Sequence, residues 1–405
     1  MNVEKKKLRI LFITEFLPWP LNSGGAIRSY HILRQVSLRH EVTLVAAGDE
    51  RESEHFRGFV AHINLLEPKR KTKVTKLVGV LASLASNRPY LCVYSSYNKE
   101  MAEKISDLLA NDTFDLVHLD HLDAAAYLPV CKDTPVYLDE HNYETKLLKS
   151  VLSNSDRLLL RTYLKQQVGK LEKFEAAALH RSDAVGAVSD KDAVLIGGVA
   201  SPGKVAVIPN GVDLAYFGID RTPEPWNIVT VGSLDWAPNV EGIMWFLDNV
   251  WPQIVAKCPE AVINIVGRNP PKYLLNRAKN NVAVLASVAD VRDYVKKASV
   301  FVVPLFSGGG TRLKVLEAMA MRVPLVSTSV GVEGIQCENR RHFMVADRPE
   351  EFANRVLELL GNRSMADKLA DNAHVLVSMQ YGWDAIGEKL NNVYRAVVSS
   401  SGAGL

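Results

Sequence analysis

The sequence predicts an α/β chain built of two Rossmann-like, doubly wound domains facing each other across a cleft. Three observations predict it. Short β-branched runs bounded by turn residues alternate with longer helical patterns, the signature of parallel βαβ units. These runs form two series, separated by an irregular stretch that opens with Pro209, Asn210 and Gly211 and lasts to Pro225. A chain of 405 residues is also longer than one ordinary core organises.

The first series is expected at 8–14, 42–47, 116–119, 136–139, 184–188 and 205–208. The second is expected at 228–231, 262–266, 282–285, 300–304 and 325–328. Domain boundaries follow as 1–210 and 211–382, with a last helix at 383–405 that is expected to cross back onto the first domain. The stretch 158–180 has helical spacing with many basic residues and reads as an amphipathic packing helix on the first domain, with membrane contact as the second reading.

Composition narrows the function classes. With 47% hydrophobic and 23% charged residues, the chain is that of a globular protein without disordered or collagenous bias. A formal charge of +3 is too small for a nucleic-acid binder, which needs a concentrated basic surface to displace counterions. The basic run 69–76 (KRKTKVTK) reads as a solvated loop, with contact to an anionic membrane as the alternative. Cys92, Cys131, Cys258 and Cys337 stand far apart, so neither a zinc site nor a disulfide framework is expected and a reducing cytosol fits. Glu15 and Pro18 interrupt the first apolar run, which reads as a buried strand rather than a secretory signal. The apolar stretch 77–85 is too short to span a bilayer. A cytoplasmic location is expected, with peripheral contact on the cytoplasmic membrane face as a second expectation.

In open α/β sheets the chemistry lies in loops beyond the carboxyl ends of strands. The most informative such loop is PLFSGGGTRLKVLEAMAMRVPLVST, which leaves a strand, passes Gly308, Gly309 and Gly310, and enters a helix expected to carry Thr311, Arg312, Lys314 and Glu317. Glycines admit a ligand close to the backbone, and the amides and positive end of a helix favour phosphate oxygens. Arg312 and Lys314 add cations, Thr311 a donor, and Glu317 a carboxylate able to accept from a ribose diol. A glycine turn alone is a common connector; with two cations and a carboxylate behind it, a nucleoside diphosphate becomes the better reading.

The first strand leads through a long loop with Pro18 and Pro20 to SGGAIRSY, where Gly24 and Gly25 can present amides to an anion or form an ordinary turn. That loop lacks the G-x-G-x-x-G spacing of a dinucleotide site, although Asp49 would superficially suit a ribose. VYLDEHNYE sets Asp139, Glu140 and His141 just past a strand, where His141 can donate to a sugar hydroxyl, carry a proton, or be a satisfied structural residue. Asp120, His121 and Asp123 suggest a metal site, but their successive spacing aims the side chains apart and favours a loop lining the cleft.

Taken together, these residues resemble the family 4 (group 1) retaining glycosyltransferases of the GT-B fold, and most of all the bacterial exopolysaccharide sugar transferases with the GGGTRLK variant. The resemblance covers nearly the whole chain and also rests on AVSDKDA (187–193), VIPNGVD (207–213) and VGSLDWAPNVEG (231–242). It implies transfer from a UDP-, GDP- or other nucleotide sugar, held mainly by the second domain, to a glycan or lipid-linked acceptor held mainly by the first. By this resemblance Gly24 and Gly25 face the donor phosphate or sugar and His141 lies near the sugar. Gly232, Arg268 and the 308–312 segment with Lys314 hold the nucleotide, and Glu317 the ribose. It further implies retention of configuration and no cofactor or metal, because cationic side chains and helix dipoles can neutralise the leaving diphosphate. Two departures stand out. Gly309 replaces the first glutamate of the family's usual pair, and the arginine and lysine expected soon after Gly232 are absent, so diphosphate binding leans on Arg312 and Lys314. An epimerase or hydrolase of nucleotide sugars, or a non-catalytic nucleotide-binding subunit, are the alternatives on such a fold.

Overall fold

Strands covered by helices on both faces read as continuous apolar runs, and in β1 (Arg9–Phe16) the side chains of Ile10, Leu11, Phe12 and Ile13 are all fully buried. The computed structural model describes residues 6–68, 72–153, 155, 157–307 and 312–402. The chain divides into two units, Met1–Pro209 together with Gly387–Leu405, and Asn210–Ile386. Each is a Rossmann-like parallel α/β domain.

In the first unit β1 is followed by α1 (Gly24–Arg39), β2 (Glu41–Ala47), α2 (Glu50–Ser53), β3 (His62–Leu66), α3 (Lys73–Ala85), α4 (Lys99–Asn111), β4 (Leu116–Asp120), β5 (Val136–Glu140), α5 (Glu144–Ser153), α6 (Leu158–Arg181), β6 (Ala184–Ala187), α7 (Asp190–Gly197) and β7 (Val205–Val207). The strands lie in the order β3-β2-β1-β4-β5-β6-β7, all parallel. β1 is an interior strand, and the order reverses between β1 and β4, the place where doubly wound sheets open a crevice.

The second unit runs α8 (Leu214–Phe217), β8 (Asn227–Val231), α9 (Ala237–Trp245), α10 (Trp251–Lys257), β9 (Val262–Gly267), α11 (Lys272–Leu275), β10 (Val282–Ala286), α12 (Arg292–Val295), β11 (Val300–Val303), α13 (Leu313–Ala320), β12 (Leu325–Ser327), β13 (Met344–Val345), α14 (Pro349–Gly361) and α15 (Arg363–Gln380). Its sheet, ordered β10-β9-β8-β11-β12-β13, is likewise parallel, with apolar clusters centred on Phe246 and Phe352 and on Phe301 and Leu316.

The last helix, α16 (Trp383–Gly402), begins in the second unit and ends in the first. Tyr394, wholly buried, brings its hydroxyl against Nδ1 of His118 on β4. Arg39 of α1 pairs with Glu388 at 2.8 Å, and a Cβ on Gly387 would come 2.7 Å from Oε1 and 3.0 Å from Cβ of Gln35, so the two helices pack closely at this glycine.

Several local expectations change. β3 was not anticipated: it is a half-buried edge strand whose first residue, His62, is exposed, so its apolar pattern is weak. β13 has only two residues. Lys73 and Lys76 belong to the first turn of α3 rather than a loop. Asp49 caps α2, accepting from the Arg51 amide at 2.8 Å, which gives it a structural role instead of a ribose contact. Helix α13 starts at Leu313, leaving Arg312 just ahead of it. Among the described residues no helix is long and apolar enough to cross a membrane.

Candidate active site

Alternate residues of a strand share a face, so His118 and Asp120 on β4 project beside Tyr137 and Asp139 on β5, with which they pair in register. Gly186 on β6 makes room for this row, since a Cβ there would lie 1.9 Å from the Tyr137 hydroxyl. A carboxylate buried in a sheet needs a partner. Helix α1 supplies it: Arg28, 1% exposed, donates from Nε and Nη2 to the two oxygens of Asp139 at 2.8 and 2.7 Å. Its Nη1 donates to the Pro209 carbonyl at 3.2 Å.

His141 follows β5 directly and turns Nε2 toward Asp120 at 3.1 Å and Asp139 at 3.4 Å. Burial alone would lower its pKa; the charge and hydrogen bond of Asp120, followed by those of Asp139, outweigh burial and raise it. The imidazolium is thereby favoured. Burial likewise opposes ionisation of Asp139, but the Arg28 guanidinium and then His141 hold it well below the usual carboxylate range.

With Nε2 occupied, the second ring nitrogen is the one left to act. Nδ1 lies toward Gly25, where a Cβ would approach it to 3.8 Å, an ordinary contact. Packing therefore does not demand glycine at 25; its missing side chain leaves space beside Nδ1. Gly24 and Gly25 open α1, whose cap Ser23 accepts from the Ala26 amide at 3.3 Å. The first amides of a helix have no intrahelical acceptor and lie at its positive end. Thr14, Glu15, Ser23, Gly25, Asp120 and His141 line a concavity of about 320 Å³ here.

Among the described residues the HLDHLD loop does not bring its own side chains together as a metal-ligand set. His121, with φ of 72°, donates its amide to the Asp139 carbonyl at 3.0 Å and turns its ring to Asp123 and Glu144, each at 3.3 Å, away from Asp120. A different set, His118, Asp120 and Asp139, does bring one ligand atom each within 4.8 Å of the others. Its charges already face Arg28 and His141, and burial lowers the His118 pKa to about 4, leaving that ring neutral and stacked on Phe12 at 4.0 Å.

Arg28, His118 and Tyr394 were not singled out from the sequence, where nothing marks a helix arginine or a strand histidine as buried. β5 extends one residue past the expected run, so Asp139 and Glu140 are its last two residues rather than part of the loop beyond. Glu140 is 1% exposed with neither carboxylate oxygen hydrogen-bonded among the described residues. Burial, and next the charge of Glu175, raise its pKa well above the carboxylate range.

In the second unit Gly242 and Gly267 are enforced by packing against backbone. A Cβ on Gly267 at the end of β9 would lie 1.9 Å from the Gly232 carbonyl oxygen, and one on Gly242 in α9 would lie 1.7 Å from that of Pro304. At Gly232, just past β8, a Cβ would come 2.7 Å from Nζ of Lys314 and 2.9 Å from Nδ2 of Asn239. The backbone opening at Gly232 thus admits the lysine. Lys314 donates to Oδ1 of Asn239 at 2.8 Å, and Asn239 donates from Nδ2 to the Ser233 carbonyl at 2.8 Å. Arg268 donates from Nε to Oγ of Ser233 at 3.0 Å, so the Gly232–Ser233 loop ties to both basic residues. Trp236 is 56% exposed and does not cap the core.

Arg312, Lys314 and Glu317 are each half-buried. Burial brings the Lys314 pKa down to about 8, with the Arg312 charge adding to the fall and Glu317 opposing it. Burial raises Glu317 to about 7 against the pull of Lys314. Burial also lowers Arg312, opposed by Glu333. An anion would relieve the cost borne by both cations. Gly308, Gly309, Gly310 and Thr311 lie outside the described residues.

Comparison with known proteins agrees with this division. A model of glycosyltransferase family 4 matches residues 23–216, and one of glycosyl transferases group 1 matches residues 225–362. An uncharacterized 44.6 kDa protein in the cps region of Klebsiella pneumoniae is 27% identical over 164 residues, 38% of this chain and 42% of that one. The putative teichuronic acid biosynthesis glycosyltransferase TuaC of Bacillus subtilis is 27% identical over 144 residues, 35% and 36% of the two chains. The match therefore spans less than half the length of either relative. Phosphatidyl-myo-inositol mannosyltransferase of Mycolicibacterium smegmatis is 23% identical over 314 residues, 75% of each chain. Among solved structures, Anabaena HepE in complex with UDP-glucose superposes with a TM-score of 0.65 at 13% identity, covering 96% of this chain and 100% of that one. At that identity it shows the fold alone, two Rossmann-like parallel-sheet domains of the GT-B kind. Since the two family models between them take in most of both units, the chain belongs to the family 4, group 1 glycosyltransferases.

Proposed function

We propose that the chain transfers a sugar from a nucleoside-diphosphate sugar to a glycan or lipid-linked acceptor, with retention of anomeric configuration and without a metal, in polysaccharide or cell-envelope glycan synthesis. The observation that carries the reading is Lys314. It is a half-buried ammonium whose pKa is depressed to about 8 and whose hydrogen-bond partner is an amide, Asn239, rather than a carboxylate. Arg312 lies two residues before it, and Glu317 lies one turn after it, on the same helix.

In this reading Arg312 and Lys314 bind the diphosphate and stabilise the charge that grows on it as the sugar leaves, the role a divalent ion plays elsewhere. Glu317 accepts from the ribose hydroxyls, and Gly232 and Arg268 shape the same loop. The glycine run 308–310 and Thr311 add amide and hydroxyl donors. His141, held by Asp120 and favoured as imidazolium, donates from Nδ1 to the transferred sugar, and Gly25 leaves that sugar room. The uridine series is the first to try, because HepE was captured with UDP-glucose. A lipid-linked or polymeric acceptor is supported by the names of the relatives from Mycolicibacterium smegmatis and Bacillus subtilis.

A thermal-shift screen against UDP, GDP, ADP, CDP and dTDP, with and without chelator, tests the donor site, because a ligand of the native state raises its melting temperature. One nucleotide should stand out and be indifferent to chelation; no shift from any at millimolar concentration would sink the reading. With that nucleotide's sugar in hand, His141→Ala should keep the shift and lose about 10²–10⁴-fold in turnover. Unchanged turnover would make His141 structural. Donor incubated without acceptor should persist; conversion to a new sugar nucleotide would mark an epimerase instead.

A further inference from the structure

Helix α3 turns its apolar side outward. Val74, Leu77, Val78, Leu81 and Leu84 recur at i, i+3, i+4, i+7 and i+10 and so share one stripe. They are 70, 60, 59, 56 and 44% exposed. The residues the helix buries are Gly79 and Ser83. Gly79 backs onto Tyr90, where a Cβ would come 3.1 Å from the ring, and Ser83 accepts from Nε2 of Gln167 on α6 at 3.3 Å. Small and polar groups therefore anchor the helix while its large aliphatic side chains stand in solvent, the reverse of an ordinary surface helix.

Helix α6 packs beside α3. The amide Nε2 of Gln166 donates to the Leu84 carbonyl at 3.3 Å, and the hydroxyls of Tyr163 and Ser83 are 3.4 Å apart. One turn before Tyr163 lie Leu158 and Leu159, 78 and 88% exposed. Large apolar side chains exposed together on α3, with more on the neighbouring α6, mark an interaction face.

Charge says what the face meets. Between Glu67 and Glu100 the sequence has no acidic residue, and Lys73, Lys76 and Arg88 are all exposed. Arg157, Arg161 and Lys165 are exposed around the start of α6. Aliphatic residues flanked by cations, on a helix with no acid, suit the plane of a bilayer with anionic headgroups. A second copy of this chain would instead set the same cations against each other. We propose that the exposed side of α3 and the first turn of α6 dock on an anionic lipid surface, the leucines entering the headgroup boundary and the cations lying over it. This inference stands independently of the transfer reaction, because its test reads binding alone.

The test is flotation of the full chain with vesicles of phosphatidylcholine alone or mixed with phosphatidylglycerol. The chain should float with the mixed vesicles and be released by high salt, which screens exposed charges. Leu77→Ser combined with Leu81→Ser should weaken partitioning about tenfold or more. Lys73→Gln and Lys76→Gln should each weaken it about fivefold, the equivalent of about 1 kcal/mol per cation. All four positions are exposed, so the variants should melt like the parent chain. No flotation with anionic vesicles, or flotation that survives the leucine double variant, overturns the proposal. So does a dimer by light scattering that the same variant returns to monomer while vesicles go unbound, which would assign the face to a second copy.

Discussion

The two candidate site regions handle charge in opposite ways. In the first unit the charges that meet at β4, β5 and α1 are paired within the fold: Arg28 grips Asp139 with two hydrogen bonds, and His141 is set against Asp120. In the second, Lys314 is held by the neutral amide of Asn239, and burial depresses both it and Arg312. The glycines differ in the same sense. Gly25 has room for a side chain, whereas Gly232, Gly242 and Gly267 have none. A region already neutral inside suits the positioning of an uncharged, hydroxylated ligand, while one with cations under strain is poised for an anion. The contrast is electrostatic, and it can be broken or sharpened by experiment.

The largest effect is expected at Asp139. Asp139→Ala leaves the Arg28 guanidinium buried without its carboxylate and should destabilise the protein by about 3–5 kcal/mol in denaturant unfolding. A loss below 1 kcal/mol would mean that the pair is not the internal counter-charge described here. Next comes Lys314→Ala, which removes a charge-assisted bond and should weaken nucleoside-diphosphate binding by about 1.5–3 kcal/mol in calorimetry. Its stability should hold or rise, since it deletes a charge that burial disfavours.

The glycines give the third comparison. Gly232→Ala should cost about 1–3 kcal/mol of stability, as overpacking does, and displace Lys314. Gly25→Ala should stay within about 0.5 kcal/mol of the parent or gain stability, being near the start of a helix, yet reduce turnover by crowding His141. Equal stability losses would erase the distinction.

The smallest signal is a proton. Free Lys314 has a pKa of about 8, and a bound diphosphate must raise it, so binding takes up protons between the two values. Calorimetry near pH 8.5 in buffers of different ionisation enthalpy should show net uptake of less than one proton, and affinity should fall as pH climbs past 8. Proton release at that pH would contradict the assignment of Lys314 to the anion.

Much of this was legible in sequence because it is local. Strands β1, β2, β8 and β11 announce themselves as β-branched runs, and Arg312, Lys314 and Glu317 cluster within six residues of one another. Gly25 stands where the loop after β1 enters a helix, and His141 where β5 gives way to a loop. What could not be read depends on register between distant segments. Arg28 meets Asp139 across 111 residues, and His118 meets Tyr394 across 276. In sequence each is one polar residue in an amphipathic or alternating pattern, and the bland expectation for a helix arginine is a solvated one. The outward stripe of α3 was hidden for the same reason: periodicity gives a helix an apolar side without saying which way it faces.

The helix α16 carries a consequence for the order in which the protein is made. Residues from Gly387 onward cover the first unit's sheet, with Tyr394 sealing His118 and Glu388 held by Arg39, yet the ribosome delivers them after the whole of the second unit. Until they emerge, the polar row of β4 and β5 lies open on that side while the second unit already has all its strands. The first unit should therefore complete its fold only after the chain leaves the ribosome, and a chain released without the residues from 387 onward should show a protease-sensitive N-terminal half beside a more resistant C-terminal one.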